Sequence, residues 1–337
     1  MYEPEFFNNT LFSAAPFPIL NAQGNDCRVV IVKATYKLNE NEELTDEPSE
    51  IRLGDEMWGA PEIPDIKYPG DLCCYKPGTD VVLVGHACGS ASRPASSVVV
   101  NISVGNINES LRIYGERYWD TWGLGHAITP AAFVERVPLA WSLAWGGFDN
   151  SNPDSPVEDS RNPVGRGVAR NPKDLAGTLA PQIESVSAPI TGWGKGNVPA
   201  GCAPLGRHFE PRRTWAGTYD GNWLQNVYPA KPADYDVRHE NCASPSLTLS
   251  TPLVSGEVAR IVGLQPGREI HFAIPHVRLK IEATIDGQRI EQIPHLDTLL
   301  IDADRDVAEL VWRAAFECPA KMRNRFTEIQ LSSKEVI

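Results

Sequence analysis

The chain has 337 residues, 42% hydrophobic and 22% charged, which is enough apolar material to bury a core and unlike a disordered tail. A formal net charge of -12 argues against nucleic acid as the main partner, because phosphate recognition needs clustered Lys and Arg. No apolar run reaches bilayer-spanning length, and the acidic start MYEPEFFNNT lacks the basic start and apolar core of a signal peptide; a cytoplasmic protein with no membrane partner is expected.

The 28 prolines and 27 glycines point to short elements joined by tight turns rather than long helices. From Cys27, CRVVIVKATYKL alternates and is rich in β-branched residues, which predicts a strand. GTDVVLVGHA (78–87) predicts a second. SSVVVNISVGNINESLRIYGERYW (96–119) predicts a hairpin, with turn chemistry at Gly105-Asn106. PLAWSLAWGGF (138–148) is apolar and aromatic but too interrupted by glycine for a helix. Residues 149–214 are mostly turn-formers without a period, which predicts irregular surface loop. Strand-like segments resume from SLTLSTPLVSGEVARIVGL onward, and Asp286-Gly287 marks a two-residue hairpin between VRLKIEATI and QRIEQI. The fold class expected is all-β or strongly β-dominated with few short helices. Two sandwich-like halves, 1–148 and 215–337, would be joined by the irregular connector 149–214, with one continuous sandwich as the alternative.

Seven cysteines without a CxxC pair favour free thiols in a reducing compartment, with Cys73-Cys74 as small half-buried residues at a strand start. GxxxxGK[ST], HExxH and GxSxG motifs are absent, and Gly123-Leu124-Gly125 lacks the third glycine of a dinucleotide loop. No metal, cofactor or catalytic residue is expected.

The densest local feature is WAGTYDGNW (215–223), followed by Asp234, Asp236 and His239. Asp220 and Asp234 could form a glycosidase carboxylate pair, with Trp215 and Trp223 as sugar platforms and Tyr219 between them. The cluster of Asp234, Asp236 and His239 could also serve a general base or a metal. The plainer expectation is a turn pinned by two buried indoles, in which Asp220 and Asp234 accept from loop N–H groups. On that expectation Trp223→Ala would cost about 3–5 kcal/mol.

KPGTDVVLVGHA (76–87), IYGERYW (113–119), NPVGRG (162–167), PAGCAPLGRHFEPRRTWAGTYDGNW (199–223), YPAKPADYDVRHENCASP (228–245) and LDTLLIDAD (296–304) stand in an order and spacing that identify a relationship. The chain resembles, over nearly its whole length, a bacterial domain-of-unknown-function family whose members accompany type VI secretion toxins. Cys202, where an aromatic is more usual, and a shortened NCASP are its small departures. The resemblance implies a non-enzymatic adaptor or chaperone working in the cytosol. It would bind a cognate toxin, often one with a PAAR-like spike-tip domain, and help mount it on the trimeric spike protein. Trp215, Tyr219, Asp220, Trp223, Asp234, Asp236 and His239 are then the family signature and the candidate partner-binding residues. The enzyme-class alternative is a carbohydrate-binding or glycoside-active β-sandwich using the same Trp and Asp residues.

Overall fold

Segments rich in Val, Ile and Thr become strands, because side chains stiff at χ1 pack well on a pleated surface. The computed structural model describes residues 4–39, 43–59, 64–120, 127–194, 196–318 and 326–335; the Gly123–Gly125 stretch lies outside them. The three larger sheets use, in chain order, β1 (Glu5–Asn9), β2 (Ser13–Leu20), β3 (Asp26–Lys37), β4 (Thr79–Val84), β5 (Ser97–Val104), β6 (Ile107–Tyr114) and β7 (Ile183–Ser185). They continue with β8 (Thr248–Leu249), β9 (Val258–Gln265), β10 (Arg268–Ala273), β11 (Val277–Ile285), β12 (Gln288–Gln292), β13 (His295–Asp302), β14 (Val307–Glu317) and β15 (Phe326–Glu335). Two short helices, α1 (Arg212–Trp215) and α2 (Gly221–Asn226), stand among them. The molecule is strand-dominated, as its sequence predicts.

The six-stranded sheet runs β8-β4-β13-β14-β3-β2, the five-stranded sheet β7-β6-β5-β9-β10, and the four-stranded sheet β1-β15-β11-β12. β3 pairs antiparallel with β14 along its whole length, and β4 pairs parallel with β13, Asp80 opposite Thr298. β5 pairs with β9 in the five-stranded sheet, whose margin is β7. The segments 1–148, 149–214 and 215–337 therefore share sheets.

Both turn assignments hold. Asp286 and Gly287 adopt φ of 53° and 76°, the left-handed pair that a two-residue hairpin turn requires, and Gly105 adopts 55° between β5 and β6. The alternation read in CRVVIVKATYKL does not correspond to one exposed face. Val30, Val32 and Ala34 enter the main core while Cys27, Val29 and Ile31 pack in a second cluster with Val311. β3 lies between β14 and β2 and is covered on both sides.

The 149–214 segment is irregular, yet it is not merely surface loop. Asn162 is fully buried and donates through Nδ2 to the carbonyls of Trp141 and Trp145. Ala180 and Ile190 pack with Trp119 and Trp145, and Ile183, Cys202, Leu205 and Phe209 join the main core. Its turn-formers shape a chain that folds inward without a repeating pattern, which is why periodicity misses its burial. None of the seven cysteines is in a disulfide, and Cys73-Cys74 lie in irregular chain before β4 rather than at a strand start. Among the described residues no helix is long and apolar enough to cross a membrane.

Candidate functional site

The WAGTYDGNW segment leaves α1, turns at Gly217 and enters α2. Gly217 has φ of 83°, and a Cβ there would sit 3.0 Å from Pro232 Cβ and 3.1 Å from Asp234 Oδ1, so glycine suits both the conformation and the close approach. Asp234 closes this turn by accepting from the Thr218 backbone N–H at 2.9 Å and its hydroxyl at 2.7 Å. The backbone N–H of Thr218, then its hydroxyl, hold the Asp234 carboxyl below the usual carboxylate range. Asp220 caps α2, accepting from the Trp223 N–H at 2.7 Å. Asp236 caps the 3-10 turn Val237–Glu240, and its ion pair with Arg238 at 2.6 Å lowers its pKa. The Arg238 guanidinium in turn lies 4.7 Å over the Trp215 ring.

His239 is buried. Its Nδ1 stands 2.9 Å from the Arg212 carbonyl, which can only accept, so the proton resides on Nδ1. Arg212 returns a hydrogen bond from Nε to the His239 carbonyl at 3.1 Å. Burial pushes the His239 pKa down, so the ring is neutral at pH 7. His239 thus locks α1 to the Val237–Glu240 turn.

The two indoles are half-buried, which corrects the expectation of mainly buried rings: the segment lies outside the sheets and only one side of it has protein to pack on. Trp223 donates from Nε1 to the Ala230 carbonyl at 2.9 Å, and Tyr219 and Tyr228 meet its ring edge-on at centroid distances of 4.7 and 5.7 Å. The outer members are open to solvent: Tyr219 is 49% exposed, Leu224 64% and Tyr228 65%. The sequence reading missed Leu224 and Tyr228, although Leu224 at the centre of a six-residue helix capped by Asp220 could have been placed on its outer side.

The stretch that follows, 231–240, walls a cleft of about 550 Å³ lined by Leu20, Cys74, Tyr75, Lys231, Tyr235 and Glu240, among others. The turn after β2 forms part of that wall, since the Lys231 N–H donates to the Ala22 carbonyl at 2.8 Å. Tyr235 donates to Glu240 at 2.8 Å and Arg207 approaches Glu240 at 3.4 Å, so the acid is already partnered. Burial pushes the Cys74 thiol up to about 12, leaving it a poor nucleophile.

The segment after the site is held from below. Asp80 on β4 accepts from the backbone N–H groups of Cys242 (2.8 Å) and Ala243 (3.1 Å) and from Asn241 Nδ2 (3.0 Å). Lys76 completes the node, 2.7 Å from Asp80 and 2.9 Å from Thr298 Oγ1. Burial drives the Cys242 thiol up to about 12, so this Lys-Asp-Cys grouping is an anchor rather than a nucleophilic site. Among the described residues no group of three or more His, Cys, Asp or Glu side chains could hold a metal ion.

A bacterial family model, described as an uncharacterized protein conserved in bacteria (DUF2169), matches residues 23–313. The chain belongs to this family. The match spans the whole WAGTYDGNW segment, the 76–80 and 241–243 anchor beneath it, and the cleft wall from Lys231 to Glu240. No curated protein and no solved structure matches this DUF2169 member.

Proposed function

We propose that the chain is a non-enzymatic adaptor that binds a cognate type VI secretion toxin in the bacterial cytoplasm and helps load it onto the secretion spike. The observation that supports this reading best is the exposure of Tyr219, Leu224 and Tyr228 beside the half-buried Trp223, on a segment whose charged residues are already committed. Asp220, Asp234 and Asp236 close turns, and His239 is bonded to a carbonyl, so none is poised as a general acid or base. Rigid aromatic rings fixed to a braced loop are what protein recognition uses, because they offer large contact area at low entropic cost. Partners are expected to be the toxin, its PAAR-like spike-tip domain and the trimeric spike protein. The net charge of -12 suits a basic toxin surface and speeds encounter.

The carbohydrate-binding alternative draws on the same rings. It has less support, because Tyr219 and Tyr228 already meet the Trp223 ring edge-on and the two candidate carboxylates serve as turn acceptors.

The test is co-purification at low salt from the native bacterium, followed by the same experiment with Leu224→Glu and Tyr228→Glu, both at exposed positions. Recovery of a toxin with a spike-tip or spike protein, lost in the variants, is the expected result. A folded protein recovered alone, and retained on a sugar column through Trp223, would overturn the adaptor reading in favour of the alternative.

A further inference from the structure

We propose that the chain forms a twofold dimer by antiparallel pairing of β12 with β12 of a second copy. β12 is the last strand of the four-stranded sheet, and among the described residues no strand lies beyond it. Its hairpin turn decides which backbone groups face outward. In a two-residue turn the flanking residues, Ile285 and Gln288, form the hydrogen-bonded closing pair, and such pairs then alternate along the ladder. Ile290 and Gln292 therefore direct their N–H and C=O groups at β11. Arg289 and Glu291 present theirs to the open side.

The side chains tell the same story from the faces. Ile290 stands opposite Ala283, on the face that carries the buried Ile281 and Ile285, yet Ile290 itself is 42% exposed. The apolar face thus runs out to the last strand of the sheet and stays open to solvent there.

The sequence of β12 is Gln-Arg-Ile-Glu-Gln, which reads as its own complement under a twofold rotation through Ile290. Arg289 then stands opposite Glu291 of the second copy and Glu291 opposite its Arg289. The two Gln288–Gln292 pairs flank them, and Ile290 meets its own equivalent. Backbone parity agrees with side-chain parity, because Arg289 and Glu291 are the residues whose N–H and C=O groups face outward. Four inter-chain backbone hydrogen bonds follow. Arg289 forms no ion pair among the described residues, so its partner is the one the second copy supplies. Glu291 is oriented by Lys280 at 2.9 Å, which also reaches Glu282 at 3.3 Å and keeps these neighbouring carboxylates compatible.

Charges on an edge strand normally deter pairing with other strands. Here Arg and Glu reject most sequences but accept an antiparallel copy of themselves in one register, which is how an isologous contact gains specificity. The opposite strategy appears at β2, the margin of the six-stranded sheet, where Pro16 and Pro18 remove backbone donors. A five-residue pairing buries less than a standard interface, so the association should be weak and concentration-dependent.

Sedimentation of the full chain up to about 0.5 mM reads this directly, a range that detects even millimolar to micromolar dissociation constants. The wild type should shift from monomer toward dimer. Arg289→Glu places like charges across both pairs and should weaken the dimer about tenfold, as should Glu291→Arg. Mixing the two variants restores opposite charges at both positions, so a heterodimer should form in the mixture. All these positions are exposed, and unchanged melting temperatures will confirm that each variant folds. A wild-type chain that stays monomeric throughout overturns the proposal, and so does a dimer indifferent to Arg289→Glu or a mixture that fails to associate.

Discussion

Two regions of this molecule distribute polar and apolar groups in opposite ways. Around the six-stranded sheet the charges are inside: Lys33 meets Asp71 at 2.5 Å, Lys76 meets Asp80 at 2.7 Å and Arg313 pairs with Asp297, all with side chains at most 5% exposed. Glu309 receives Arg52 and Ser49, each at 2.5 Å, with Arg305 at 3.0 Å. In the WAGTYDGNW segment the charges tie turns at the surface while Tyr219, Leu224 and Tyr228 face water. Titratable clusters usually draw attention as sites. Here the carboxylates of the larger clusters are buried and partnered, so they hold the scaffold, and the region open to recognition is aromatic.

The comparison is broken most severely by Asp80→Ala. Removing one member of a buried, hydrogen-bonded pair leaves Lys76 uncompensated and frees the 241–243 backbone; the expected loss is about 3–5 kcal/mol in urea denaturation. The scaffold should also respond to acid through Glu309. Burial raises its pKa, but the Arg52 hydrogen bonds and the charge of Lys33 outweigh that and hold it at about 2, against an ordinary 4.5. A depressed folded-state pKa gives stability that is fully present above the unfolded value and is lost as pH falls through the folded one. Denaturation between pH 5 and pH 2 should therefore show a loss on the order of 3 kcal/mol from this group. Glu309→Gln should flatten that part of the profile.

The exposed region should respond more mildly in stability and more sharply in binding. Trp223→Ala removes a half-buried ring, so the expectation falls from the range for a buried indole to about 1–3 kcal/mol, measured by thermal unfolding. Loss of the proposed partner at unchanged fold would sharpen the contrast; a loss of stability as large as that of Asp80→Ala would erase it. Asp220→Ala is the smallest effect, about 1 kcal/mol for a helix cap.

Local chemistry was legible in the sequence where a few adjacent residues determine the outcome. Asp286-Gly287 and Gly105-Asn106 specify their hairpins through backbone preference, and Asp220 and Asp234 accept loop N–H groups as short polar side chains do. What could not be read depends on partners far apart in the chain. Tyr68 donates to Asp302, Ser49 to Glu309 and Lys76 to Thr298, across separations of 234, 260 and 222 residues. No spacing rule announces such pairs, so Lys33 and Lys76 pass for surface residues until the strands are assembled. The aromatic segment misled in the other direction, because tryptophan in a Gly-rich turn suggests a plug while its actual burial is set by how little protein stands over it.

The parallel pairing of β4 with β13 also sets a timetable for the chain as it leaves the ribosome. β3 and β4 are complete before residue 85, but β4 meets β13 only after residue 302 and β3 meets β14 only after residue 317. β3 has its neighbour β2 from the start, but its other edge and the β13-facing edge of β4 must stay open while more than half of the polypeptide is made. Such long-range closure is slow and exposes strand edges to aggregation. Production of this protein should therefore be more sensitive to translation speed and holdase supply than the stability of the finished fold would indicate.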